Sequence, residues 1–156
     1  MKAIRLPLPH FTNCFLFLRR LVFIPLPLIC FLLSQPAQAI SADDQSARDT
    51  ALRWLALVDS GHYQQAFGEL PPRIKAASNG ADHFIKSMQT RRVPLGHARK
   101  RAFYKVEHYH NANGWPDGNY QQIDFKTSFE RKALGWERVI LTQETGHWQV
   151  GNYMFR

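Results

Sequence analysis

Apolar residues change their spacing once along this chain, and that change sets the order of its architecture. Ala47, Ala51, Trp54, Leu55 and Val58 fall three or four apart, the period of one helix face. From Ala98 onward the period is two, most cleanly at Ile123, Phe125, Thr127 and Phe129. Their neighbours Gln122, Asp124, Lys126, Ser128 and Glu130 are all polar. A strand of that kind buries one face and wets the other, as strands of antiparallel sheets do. Helices first and strands after them predict an α+β domain with its helices laid on one sheet face.

Local signals place the boundaries. Ser41 can cap the first helix, and Asp43 and Asp44 suit the positive end of its dipole; Asp59-Ser60-Gly61 ends it. A second helix over 63–70 stops at Pro71-Pro72, and a third over 73–90 carries Ile74, Ala77, Ala81, Phe84, Ile85 and Met88 on one side, with a kink or split at Asn79-Gly80. Val93-Pro94-Leu95-Gly96 is a turn. Strands are expected over 99–110, around Ile123, over 136–143 and over 148–155. They are joined by Gly114-Trp115-Pro116-Asp117-Gly118, by a loop at Leu134-Gly135 and by Glu144-Thr145-Gly146. The result is a four-stranded antiparallel meander.

Residues 1–39 form a separate region. They hold Lys2, Arg5, Arg19 and Arg20 but no acid, and Leu21 to Leu33 is continuously apolar. Ala37-x-Ala39 then offers the small side chains that signal peptidase accepts, so the segment reads as a secretory signal cleaved after Ala39 and the protein as periplasmic. A retained anchor is the rival reading. Thirteen residues rise only about 20 Å as a helix against a bilayer core of about 30 Å, and Pro25 and Pro27 weaken the span further. Ile29 before Cys30 argues against lipidation. Removing the segment removes Cys14 and Cys30, so residues 40–156 form one domain with no disulfide. The chain's 20 Lys and Arg against 12 Asp and Glu become 16 against 12, so the formal charge falls from +8 to +4. Four tryptophans with several Phe and Tyr supply the core, and neither cofactor nor metal is needed to hold it.

Three groups of residues carry a family likeness. Trp54-Leu55-x-Leu57-Val58-Asp59-x-Gly61-x-Tyr63, Arg92-x-Pro94-Leu95-Gly96 and Pro116-Asp117-Gly118-x-Tyr120 come in order, followed by Phe125, Thr127, Phe129, Lys132, Glu137, Val139 and Leu141 and by Gly146-x-Trp148-x-Val150. Together they resemble the bacterial domain of unknown function 4019 family over residues 51–153. Gly151-Asn152-Tyr153 departs from the pattern, which has Gly directly before the Tyr. The resemblance implies an exported bacterial protein with a cone-like fold, helices against a curved four-stranded antiparallel sheet, similar to the nuclear-transport-factor and cystatin-like groups. It implies no activity and assigns no functional residue.

Candidate sites come from the residues themselves. His108 and His110 are two apart on a strand, so both imidazoles share a face and could hold one metal ion, but no third ligand has suitable spacing. Asp124 could be a general base, yet Gln122, Lys126 and Ser128 on its side mark a solvated acid. Glu137 shares its side with Val139 and Leu141; burial there, paired with Lys132 or an arginine, makes a structural ion pair the expected role and a catalytic acid the alternative. Arg91, Arg92, Arg99, Lys100, Arg101 and Lys105 form a basic segment. Alternation would put Arg99, Arg101 and Lys105 on one face and Lys100 on the other. Trp115 is either an exposed aromatic contact or a cover for the core edge.

No catalytic motif accompanies these groups: no Gly-x-Ser-x-Gly, no Gly-rich phosphate loop and no His-Glu-x-x-His. The sequence therefore points to a periplasmic binding or interaction module, using the open sheet face, the 114–118 loop or the basic segment through Arg99 and Arg101. Its partner would be an anionic envelope component or another periplasmic protein, not nucleic acid. The alternatives are a small cone-fold enzyme with a buried carboxylate, and a metal-binding protein.

Overall fold

A computed structural model describes residues 40–111 and 114–156. The leader read into residues 1–39, with both cysteines and the cleavage point, lies outside the described residues.

Helix α1 spans Ala42–Asp59, and Ser41 caps it by accepting a hydrogen bond from the Asp44 amide at 3.0 Å. All five residues of the apolar stripe are buried. The helix stops at Gly61 (φ +78°): the Gly61 amide donates to the Val58 carbonyl and the His62 amide to the Leu57 carbonyl, closing the last turn on a left-handed residue. Helices α2 (Tyr63–Gly68), α3 (Pro72–Ala77) and α4 (Gly80–Arg91) follow, with Pro72 in the first turn of α3. The segment 73–90 is thus split. Ser78 is extended and Gly80 takes φ +86°, a conformation that no helix continues through.

Strands β1 (Ala98–His110), β2 (Asn119–Phe129), β3 (Lys132–Thr142) and β4 (Gln149–Phe155) form one antiparallel sheet in sequence order, with β1 and β4 at its edges. Residues 134 and 135 belong to β3, contrary to the loop expected there. The reason is close packing: a Cβ on Gly135 would stand 2.6 Å from Cε2 of Phe129, so this glycine marks close approach of a ring across the ladder, and Glu130-Arg131 makes the turn.

The helices cover one sheet face. Ala47, Ala51, Trp54, Leu55 and Val58 pack with Ile123, Phe125, Val139, Leu141 and Val150, and Trp54 Nε1 donates to the Ala66 carbonyl at 2.8 Å, tying α1 to α2. This is the α+β arrangement expected, helices laid on a bulged four-stranded antiparallel sheet. Every core residue named here comes from residues 47–150.

Two irregularities decide where side chains point. In β1, Phe103 pairs with Phe125 and Lys105 with Asp124, which leaves Tyr104 as a bulge. Arg101 therefore faces the helices while Lys105 faces away, which corrects the expectation that the two share a face. In β4 the register shifts at Gly151, the point of departure from the family pattern; a Cβ there would stand 3.2 Å from the Trp115 ring.

Candidate functional site

The covered face holds an ion network. Thr127 on β2 and Glu137 on β3 point inward by the same parity that buries Phe125 and Val139. Glu137 has no exposed surface, and its two oxygens accept four hydrogen bonds. Oε2 receives Arg101 Nε at 2.6 Å and Thr127 Oγ1 at 2.5 Å; Oε1 receives Tyr153 OH at 2.6 Å and Arg101 Nη2 at 3.1 Å. Arg101 also donates to both oxygens of Asp59, at 2.8 and 3.2 Å. Arg92 donates to Asp59 at 2.6 Å and to the Gly96 carbonyl at 2.8 Å, with its guanidinium 4.5 Å from the Phe129 ring centroid.

Two arginines thus balance two carboxylates, so the buried charges compensate. Burial works against the Arg101 cation, but its hydrogen bonds to the Glu137 and Asp59 carboxylates more than offset it and leave its pKa above the usual arginine range. Burial, together with the neighbouring Glu137 charge, holds the Tyr153 hydroxyl well above the ordinary tyrosine value. Such a network fixes α1, the α4–β1 connection and all four strands in one geometry. The cavity that Tyr153 lines, about 210 Å³ between α2–α4 and β4, is walled by Trp54, Phe67, Phe84 and Phe155 and does not include Glu137.

At the start of α1 a second polar group joins helix to sheet. Asp43 accepts from Trp148 Nε1 at 2.9 Å, from Gln121 Nε2 at 3.2 Å and from Gln143 Nε2 at 3.3 Å, and Asp44 lies 2.6 Å from His108 Nε2. The hydrogen bond with His108 lowers the Asp44 pKa. His110 instead bonds Asn119 at 3.0 Å. The two histidines are thereby engaged on different partners, and no three His, Cys, Asp or Glu side chains among the described residues group as metal ligands would.

The sheet face away from the helices is built differently. Across it, the register sets Met154, Arg138, Asp124 and Lys105 in one row, and Trp136, Lys126 and Ala102 in the next. Asp124 is not the solvated acid its neighbours suggested: it is 2% exposed. On a central strand, long side chains from both flanking strands close over it, with Arg138 Nε and Nη2 on its two oxygens at 2.7 and 2.8 Å and Lys105 at 4.0 Å. Gln122, also read as solvated, is buried the same way and donates to Glu107 at 2.8 Å. Lys105 pairs with Glu107 at 2.7 Å, which raises the lysine pKa and lowers that of the glutamate.

Beyond this polar row lies an aromatic platform. Tyr104, turned outward by its bulge, meets Trp136 edge to face at 4.8 Å between centroids, and Lys126 Nζ sits 4.2 Å from the Tyr104 centroid and 5.6 Å from that of Trp136. Lys126 has no carboxylate within ion-pair distance among the described residues. A depression of about 180 Å³ opens beside it, lined by Asp124, Trp136, Glu137, Arg138, Met154, Phe155 and Arg156.

Of the residues singled out in the sequence, the structure unites Arg101 with Glu137 inside the domain. Arg99 stays exposed, 3.8 Å from Glu130. Trp115 is half-buried, packed edge-on against Tyr120 at 5.4 Å beneath Arg73, so it covers the end of the sheet. Asp59, Thr127 and Tyr153 carried no functional expectation, and Arg92, read as part of the basic segment, is buried in the network instead. The inward parity of Thr127 among apolar neighbours was the available signal for one of them.

A helix-on-sheet α+β domain with an internally neutralised ion network and a cationic, aromatic open face is the class these observations define. The chain matches the family described as "Protein of unknown function (DUF4019)" over residues 50–153, and it belongs to that family. No curated protein matches the chain. Among solved structures, a Campylobacter jejuni protein provisionally named an NTF2-like transpeptidase is similar at 14% identity and a TM-score of 0.45; the match covers 66% of this chain and 94% of that one.

Proposed function

We propose that this protein is an exported, non-catalytic binding module that engages a polyanionic envelope component through its open sheet face. One observation carries this reading: among the described residues Lys126, held on the Tyr104–Trp136 platform without a carboxylate partner, sits with Lys100, Lys105, Arg138 and Arg156 against Glu107 and Asp124 alone. That excess of positive charge lies on a surface which the fold leaves uncovered, and it favours encounter with anions. The leader-like residues 1–39 support export, with the periplasm as the compartment. Saturation of Glu137 by four donors supports a structural role for the buried carboxylate, since a general base needs a free oxygen facing a substrate.

The test is retention of residues 40–156 on a sulfated-dextran matrix under a salt gradient. Lys126→Glu should elute at clearly lower salt, whereas Lys86→Glu, the same charge change on exposed α4, should elute nearly as the parent does. Equal shifts in the two variants would show that net charge alone governs retention, and the open face would lose its assignment.

A further inference from the structure

Resting on that reading, we infer that the polyanion is a lipid bilayer, and that the open sheet face is a peripheral membrane-association surface with Leu134 as its inserting side chain. Charge by itself would suit any polyanion; the apolar content of the face is what selects among them. Leu134 is 73% exposed, one turn from the β2–β3 reversal, and Tyr104 and Met154 on the same face are 48% and 42% exposed. A soluble polyanion offers nothing to an exposed leucine. The boundary between headgroups and acyl chains rewards it.

The arrangement has the layering that boundary requires. Leu134 precedes Trp136 by two residues on β3, so both lie on the uncovered side, and Trp136 stacks with Tyr104. Tryptophan and tyrosine settle at the headgroup level, where an apolar ring and a polar atom both find partners. Around them Lys100, Lys126 and Arg138 supply ammonium and guanidinium groups at the height of lipid phosphates. Lys126 is fixed above the two rings and so meets a phosphate without first losing side-chain freedom. No helix of the described residues is long and apolar enough to cross a membrane, so association would be lateral and reversible.

Co-sedimentation of residues 40–156 with vesicles of phosphatidylglycerol and phosphatidylethanolamine tests this, with phosphatidylcholine vesicles as the neutral comparison and sulfated-dextran retention measured on the same proteins. Binding to the anionic vesicles only is expected, with a blue shift of Trp136 emission that Trp136→Phe abolishes; Trp54 and Trp148 are already buried, and Trp115 packs between Tyr120 and Arg73 at the end of the sheet. Lys126→Glu should weaken both vesicle and dextran binding, the former by at least about fivefold. Leu134→Asn, which removes the apolar side chain without changing charge at an exposed position that leaves the core intact, should weaken vesicle binding about tenfold and leave dextran retention unchanged. Dextran retention without vesicle binding would overturn the membrane assignment and leave the polyanion reading standing. Absence of both would overturn the two together. Vesicle binding unaltered by Leu134→Asn would refute insertion through this face.

Discussion

Arg101→Met puts the ion network to its hardest test, because the sequence places Arg101 in a basic segment whose other exposed members could be changed at little cost. In the fold its guanidinium makes four hydrogen bonds, two to Glu137 and two to Asp59. Methionine roughly fills the volume, so the loss is electrostatic. Glu137 would remain fully buried with only the Thr127 and Tyr153 hydroxyls as donors, while Asp59 would keep Arg92. Stranding one charge of a buried pair costs about 3–5 kcal/mol. For a domain of this size that is a fall in Tm of about 12–20 °C. Urea unfolding followed by tryptophan fluorescence would give the free energy directly. Arg99→Met, which touches only Glu130 at 3.8 Å from an exposed position, should change stability by less than about 0.5 kcal/mol. Adding Glu137→Gln to Arg101→Met should recover part of the loss, since the glutamine oxygen accepts from one hydroxyl and its amide can donate to the other hydroxyl oxygen, with no unpaired charge. A loss below about 1 kcal/mol for Arg101→Met would refute the view that these charges hold the helices to the sheet.

Other perturbations have outcomes as definite. Gly135→Val should destabilise by about 1–3 kcal/mol in denaturant titration, because its Cβ falls 2.6 Å from the buried Phe129 ring. Tyr153→Phe should cost about 1.5–3 kcal/mol by removing a donor to a buried carboxylate. In the parent, absorbance at 295 nm should show one tyrosine that ionises only as the fold is lost at alkaline pH, since a raised folded pKa means stability is complete below 10 and falls as pH rises above it. The Asp44 pKa is lowered by its His108 hydrogen bond, so its contribution is present above its ordinary 3.8 and is lost as pH falls below that; His108→Phe should remove this part of the acid-limb dependence in melts between pH 3 and 6.

How far the sequence discloses this protein depends on what each residue's position reports. The stripe from Ala47 to Val58 and the inward series Ile123 to Phe129 were legible because periodicity reports burial directly, and all of these residues are buried. Glu137 was legible as an inward carboxylate for the same reason. Its partner was legible only as Lys132 or an arginine; that it is Arg101 was not, because the bulge at Tyr104 reverses the facing of Lys105 relative to Arg101, and no composition signal marks a bulge at a tyrosine. Asp124 misled in the opposite direction: polar alternation reports the open face correctly, but not that long side chains from β1 and β3 meet over a central strand and enclose it. Gly135 read as a loop residue because glycine signals turns and close packing alike, and only the position of the Phe129 ring separates the two. Several residues that carry the family resemblance, Asp59, Arg92, Thr127 and Glu137, meet in the ion network, so part of what identifies this family is the means of holding its fold.

The most direct test of the account is a map of amide chemical shifts in residues 40–156 as dextran sulfate is added. Engagement through the open sheet face predicts shifts concentrated at Lys100–Lys105, Asp124–Ser128, Leu134–Arg138 and the end of β4, with α1–α4 undisturbed. Shifts confined to the helices or to the 114–118 loop, or none at all, would contradict it.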